Sequence, residues 1–99
     1  MTNKKTKIVA TLGPASNSHK VLKQMFKEGV NVCRLNFSHG SHEDHLKSIQ
    51  LIRKLNQETG LNVAILGDLQ GPKIRTHMME DGVLLKKGDE LVIVTDEVI

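Results

Sequence analysis

Two arginines, an asparagine, a serine, a histidine and an aspartate crowd two short stretches of this 99-residue sequence. One stretch is Arg34-Leu35-Asn36-Phe37-Ser38-His39-Gly40. The other is Gly67-Asp68-Leu69-Gln70-Gly71-Pro72-Lys73-Ile74-Arg75. Guanidinium forks match phosphate or carboxylate oxygens, and Asn, Ser and Asp oxygens suit a hard cation. The chemistry these residues could perform is recognition of a phosphorylated anion beside a cation. A plainer alternative is a structural ion pair between Asp68 and Arg34 or Arg75. His42 and His45 stand at i, i+3 and could share a metal, but no third ligand is evident, and a solvated helix start accounts for them better. Lys86-Lys87 reads as a solubilising turn. No G-x-G-x-x-G fingerprint and no G-x-x-x-x-G-K-[ST] loop is present.

The elements that must position these residues follow from the apolar pattern. Lys7 to Leu12 is short, β-branched and apolar on both sides, so it predicts a buried strand that ends at Gly13-Pro14. Ser18 is a plausible N-cap. Val21, Leu22, Met25 and Phe26 then mark one helical face, with Gly29 where a C′ residue belongs. Asn31 to Phe37 predicts a second strand, interrupted by Arg34 and Asn36. Ser41 with Asp44 resembles a capping box. Leu46, Ile49, Leu51, Ile52 and Leu55 follow on a helix running to about Thr59 and closed by Gly60. Val63 to Asp68 predicts a third strand. Apolar strands alternating with helices favour a parallel sheet covered on both faces, as in a βα barrel or a doubly wound fold. Both fold types bind ligands at the carboxyl ends of their strands, which is where the polar stretches fall. The loop after the first strand, Thr11 to Ser16, falls there too.

After Pro72 the texture changes. Ile74 to Met79, the turn Glu80-Asp81-Gly82 and Val83 to Leu85 predict a hairpin. Lys86 to Asp89 predicts another turn, and Glu90 to Thr95 another strand. A boundary is placed near Gly71-Pro72, dividing 1–71 from 72–99.

Composition excludes several classes. Lys plus Arg is 14 and Asp plus Glu is 11, giving +3 with neutral His, and 25% charged residues is ordinary for a globular chain. No apolar run approaches the ~20 residues of a membrane span. The polar, basic N-terminus lacks the apolar core of a signal peptide. The single Cys33 excludes an internal disulfide and reads as a small core residue in a reducing compartment. Only Phe26 and Phe37 are aromatic, too few for a base-stacking platform, which argues against nucleic acid.

Three segments resemble the pyruvate kinase family: Lys7-Ile-Val-Ala-Thr-Leu-Gly-Pro-Ala-Ser16, Arg34 to Gly40, and Gly67 to Arg75. The likeness implies the first strands of a (β/α)₈ barrel A domain over 1–71, and over 72–99 the start of an inserted β-rich B domain. It implies transfer of the phosphoryl group of phosphoenolpyruvate to ADP, giving pyruvate and ATP, with Mg²⁺, in a cytoplasmic homotetramer. By the same likeness Arg34 contacts the transferred phosphoryl group, and Arg75 the nucleotide phosphates. Asn36, Phe37, Ser38 and His39 line the ATP phosphate region. Asn36, Ser38, Asp68 and the Leu69 carbonyl form a monovalent cation shell. The family's catalytic Lys and its Mg²⁺ ligands come from later strands, so residues 1–99 alone are expected to be inactive and prone to associate. The commoner motif has Thr, Lys and Glu where this sequence has Leu69, Gln70 and Lys73. That exchange puts an ammonium beside the cation shell, so K⁺ is expected to be dispensable, with Lys73 supplying the charge. The alternative is that Lys73 points to solvent. A second functional reading is a stand-alone binding module for a phosphorylated metabolite.

Overall fold

In the computed structural model, which describes residues 4–76 and 82–95, both helices start and stop at side chains suited to the task. Strand β1 is Val9–Thr11, helix α1 His19–Glu28, strand β2 Val32–Asn36, helix α2 His42–Thr59 and strand β3 Ala64–Asp68. The Ser18 hydroxyl accepts the Val21 N–H at 3.3 Å, satisfying one of the orphan donors of α1. Ser41 and Asp44 form a reciprocal capping box at the start of α2. Gly29 and Gly60 close the two helices at φ 108° and 71°, the left-handed region where a Cβ would be strained.

The three strands form one parallel sheet in the order β1-β2-β3. Thr11 lies beside Arg34, Arg34 beside Leu66, and Asn36 beside Asp68. Strand side chains alternate between faces. Cys33 and Leu35 of β2 therefore point one way and pack with Leu22, Phe26, Ile52, Leu55 and Val63 in a single buried core. Thr11, Arg34, Asn36 and Asp68 share the opposite face.

Two polar clamps tie the edges of this unit. The Asn56 side chain accepts the Val63 N–H at 2.9 Å and donates to the Val63 carbonyl at 3.0 Å, fastening α2 to the entry of β3. Asn31 Oδ1 accepts from the Ile8 N–H and from Lys4 Nζ, each at 2.9 Å, and Lys4 also reaches the Gly29 carbonyl. On the surface, His19 and Lys23 of α1 meet Glu58 of α2 at 2.9 and 3.8 Å.

Three expectations need correction. Among the described residues only one sheet face is covered by helices. Val9 and Leu66 on the other remain 54% and 46% exposed, because α1 and α2 pack on the same side. Leu46 of the expected helix stripe is also exposed, and the polar Ser48 is buried instead, donating to Asn17 Oδ1 at 3.0 Å. Past Asp68, the described residues 74–76, 83–85 and 90–95 form no strand, and 77–81 lie outside the described residues. The turn at Lys86–Asp89 does form, with Asp89 N–H on the Lys86 carbonyl at 3.0 Å and Lys86 N–H on Asp89 Oδ2 at 2.9 Å. A turn closes on local bonds alone. A strand needs a neighbour, and short hairpins without a third strand or a covering helix are marginal. The Cα radius of gyration is accordingly 19.2 Å, against about 13 Å for a compact chain of this length.

Candidate functional site

At the carboxyl end of the sheet the arginine of β2 is held on both flanks. Arg34 donates through Nε to Asp68 Oδ2 at 2.9 Å, and its Nη2 pairs with the same oxygen. Its Nη1 donates to the Thr11 hydroxyl at 3.1 Å. The sequence register explains this: the three residues come from neighbouring strands on the open face. With Arg34 31% and Asp68 48% exposed, the pair is worth about 0.2–1 kcal/mol in water. Its larger consequence is orientation, since a guanidinium gripped along one edge is fixed in its plane.

The loop after β2 is folded by its own polar groups. Asn36 Oδ1 accepts the Ser38 N–H at 3.1 Å, and the Asn36 carbonyl accepts the His39 N–H at 3.2 Å. The Phe37 N–H donates to the Asp68 carbonyl at 3.0 Å, extending the β2–β3 pairing one step into the loop. Phe37 also lies over Gly67, where an added Cβ would meet its ring at 3.4 Å.

The third segment returns to this loop through Lys73, whose Nζ donates to Ser38 Oγ at 3.4 Å. Leu69 is 75% exposed, and Arg75 has no hydrogen-bond or ion-pair partner among the described residues. The structure thus brings together Arg34, Asp68, Asn36, Ser38 and Lys73, and leaves the Leu69 side chain exposed and Arg75 without a partner among the described residues. The plainer expectation of an Arg34–Asp68 ion pair is met in the geometry, and Lys73 turns towards Ser38 rather than away from the loop. Beside this cluster a cleft of about 560 Å³ runs between the loops after β1 and β2. Its walls include Gly13, Pro14, Asn36, His39, Gly40 and Asp44.

Sequence reasoning missed two side chains. Thr11 stands in the polar loop after the first strand without a sign of its role, which comes from its register level with Arg34. His45 reads from sequence, together with His42, as part of a solvated helix start. In the structure its ring packs against Phe37, tilted by 33° at a centroid distance of 4.3 Å, and its Nε2 meets the His39 carbonyl at 2.7 Å. His42 does not share in this. Among the described residues no three His, Cys, Asp or Glu side chains come together as a metal-binding group. No described helix is long and apolar enough to cross a membrane.

Asp44 is held below the usual carboxylate range by the Ser41 backbone N–H and then by the Ser41 hydroxyl. The thiol of Cys33 is pushed up to about 11 by burial. It is an inert packing group, as its place in an apolar run implied.

Comparison with known proteins bears on this arrangement. A family model described as "Pyruvate kinase, barrel domain" matches residues 3–99. Proteins named pyruvate kinase from Staphylococcus haemolyticus (strain JCSC1435) and Staphylococcus aureus (strain USA300) are 51% and 50% identical over 96 residues. Another so named, from Staphylococcus epidermidis, is 49% identical over 96 residues. Each match covers 96% of this chain, which spans 16% of the length of these curated relatives. The matched span includes all three segments that build the strand-end cluster, and the chain belongs to the pyruvate kinase family.

Proposed function

We propose that residues 1–71 are the opening β-α-β-α-β part of a (β/α)₈ barrel, and that 72–99 begin an inserted β-rich domain. The whole enzyme transfers the phosphoryl group of phosphoenolpyruvate to ADP, giving pyruvate and ATP in glycolysis. The observation that carries the reading is the Arg34 guanidinium, oriented by Asp68 at the carboxyl end of a parallel strand. Phosphoryl transfer asks a protein for positioning and charge neutralisation more than for covalent chemistry. Asp68 holds the Nε and Nη2 edge of the fork. The Nη1 edge faces a neutral hydroxyl, that of Thr11, which a phosphoryl oxygen can replace. Arg34 therefore meets charge on the moving phosphoryl group. Asn36, Phe37, Ser38 and His39 line the nucleotide phosphates, and Arg75 reaches them from the inserted domain.

Mg²⁺ supplies charge neutralisation at the phosphates when bound. The carboxylates described here do not gather into a site for it, and its ligands are assigned to later strands. The monovalent cation shell of Asn36, Ser38, Asp68 and the Leu69 carbonyl fits poorly. Asn36 Oδ1 already accepts an N–H, Ser38 Oγ accepts from Lys73, and Asp68 Oδ2 faces Arg34. A second cation ~4 Å from an ammonium costs on the order of 4 kcal/mol at an effective dielectric of 20. Lys73 thus takes the place of K⁺, which is dispensable. The assembly is a cytoplasmic homotetramer, and the 99-residue chain alone is inactive.

The test is phosphoenolpyruvate-dependent ATP synthesis by the full-length enzyme and its Arg34→Ala variant. Arg34→Ala should lower kcat by roughly 10²–10³, about 3–4 kcal/mol, with a smaller change in nucleotide KM. A change confined to nucleotide KM, or ATP synthesis by residues 1–99 alone, would refute the assignment.

A further inference from the structure

The loop that carries Asn36, Ser38 and His39 is braced by a residue to which the phosphotransfer reading gives no phosphate contact of its own, although it shares a wall of the neighbouring cleft. His45 sits in the first turn of α2, and its ring packs against Phe37 with centroids 4.3 Å apart and planes tilted by 33°. Its Nε2 lies 2.7 Å from the His39 carbonyl. A carbonyl only accepts, so Nε2 carries the proton and donates, whatever the charge on the ring. At Gly40, where φ is +77°, an added Cβ would come within 3.4 Å of that same Nε2. The loop and the imidazole are therefore packed together at closest approach. On its other side the loop is held by the Phe37 N–H on the Asp68 carbonyl at 3.0 Å and by the Asn36–Ser38 turn.

Resting on the phosphotransfer reading above, we propose that His45 is a positioning residue for that reaction. Its Nε2–H holds the His39 carbonyl and its ring braces Phe37, which together fix the loop presenting Asn36, Ser38 and His39. Displacements of about 1 Å in such a loop can reduce turnover by up to about a hundredfold without removing any group that touches substrate. The imidazole supplies two things that can be separated, a donor at the Nε2 position and an apolar ring face. Gln places an amide N–H near the Nε2 position, Asn is too short to reach, and Phe keeps the ring while losing the donor.

The experiment uses the full-length enzyme with His45→Gln, His45→Asn and His45→Phe. Steady-state kinetics with phosphoenolpyruvate and ADP are measured beside hydrogen-exchange mass spectrometry of the peptide spanning residues 36–41. His45→Phe and His45→Asn should lower kcat by about tenfold to a hundredfold, with a smaller change in KM, and should speed exchange in that peptide. His45→Gln, which keeps the donor and loses the ring, should restore kcat to within about threefold and recover most of the wild-type protection in that peptide. If His45→Phe fails to fold, the Gln and Asn pair carries the comparison. The proposal is overturned if Gln loses as much as Asn, or if no variant changes kcat by more than about twofold. Should the wild-type enzyme make no ATP from phosphoenolpyruvate, the functional reading fails separately. The exchange data then decide the brace by the same Gln-against-Asn comparison.

Discussion

Val63-Ala64-Ile65-Leu66 and Leu91-Val92-Ile93-Val94 are almost interchangeable as sequence, yet they end in opposite environments. Val63 is 7% exposed and Ile65 partly buried, while Val92 and Ile93 are 82% and 85% exposed. Both runs have strand-forming residues bounded by turn formers. The first joins β2 on one edge and is covered by α2, which Asn56 fastens to its entry. The second has neither an edge nor a cover among the described residues. Apolar, β-branched sequence proposes a strand, and hydrogen-bonding neighbours decide whether one forms. Across the two regions the one hydrogen bond among the described residues is the Lys73–Ser38 contact, which lies in the site.

The largest expected difference follows from that contrast. Ile52 is fully buried between α2 and the sheet, and Ile93 is 85% exposed. Ile52→Ala should cost the polypeptide about 2–5 kcal/mol of unfolding free energy. Ile93→Ala should change it by less than about 0.5 kcal/mol. Urea unfolding of the two variants followed by circular dichroism reads both. Equal losses would mean that the second region is packed after all.

A smaller effect sharpens the description of the packed region. Ser41→Ala removes the N-cap of α2 and should cost about 1 kcal/mol. The partner Asp44 titrates below its ordinary value of 3.8 because the Ser41 N–H and hydroxyl favour the carboxylate. A lowered carboxylate contributes stability above its unfolded pKa and loses it as pH falls through the folded value. The start of α2 should therefore loosen in acid below about pH 4, and Asp44→Asn should flatten that dependence in a pH-resolved melting series. An unchanged acid limb in Asp44→Asn would remove the capping box from the account.

Much of the packed region was legible because its signals are local. Ser18, Gly29, Ser41, Asp44 and Gly60 act within a turn of where they stand, and the helix ends they imply match the structure. The strands came out shorter than the apolar runs, Val9–Thr11 inside Lys7–Leu12 for example, since ladder bonds reach only as far as the partner does. The Arg34–Asp68 pair is legible as one alternative, because two strands ending together leave few other neighbours. His45 was not legible. Its role depends on a carbonyl six positions back, brought round by a turn at Gly40, and a histidine opening a helix carries no mark of that. Among the described residues, the strands expected after Pro72 do not form for the converse reason, since nothing in a strand's own residues states whether a partner is present.

The contact between the two regions offers the most direct test. If the Lys73 ammonium beside Ser38 serves in place of a monovalent cation, the full-length enzyme should run at full rate in tetramethylammonium buffer. Adding KCl should change kcat by less than about twofold, and Lys73→Glu should create a requirement for potassium. A rise of about a hundredfold when potassium is added to the wild-type enzyme, roughly 2.7 kcal/mol of barrier, would contradict the account and return the cation shell to potassium.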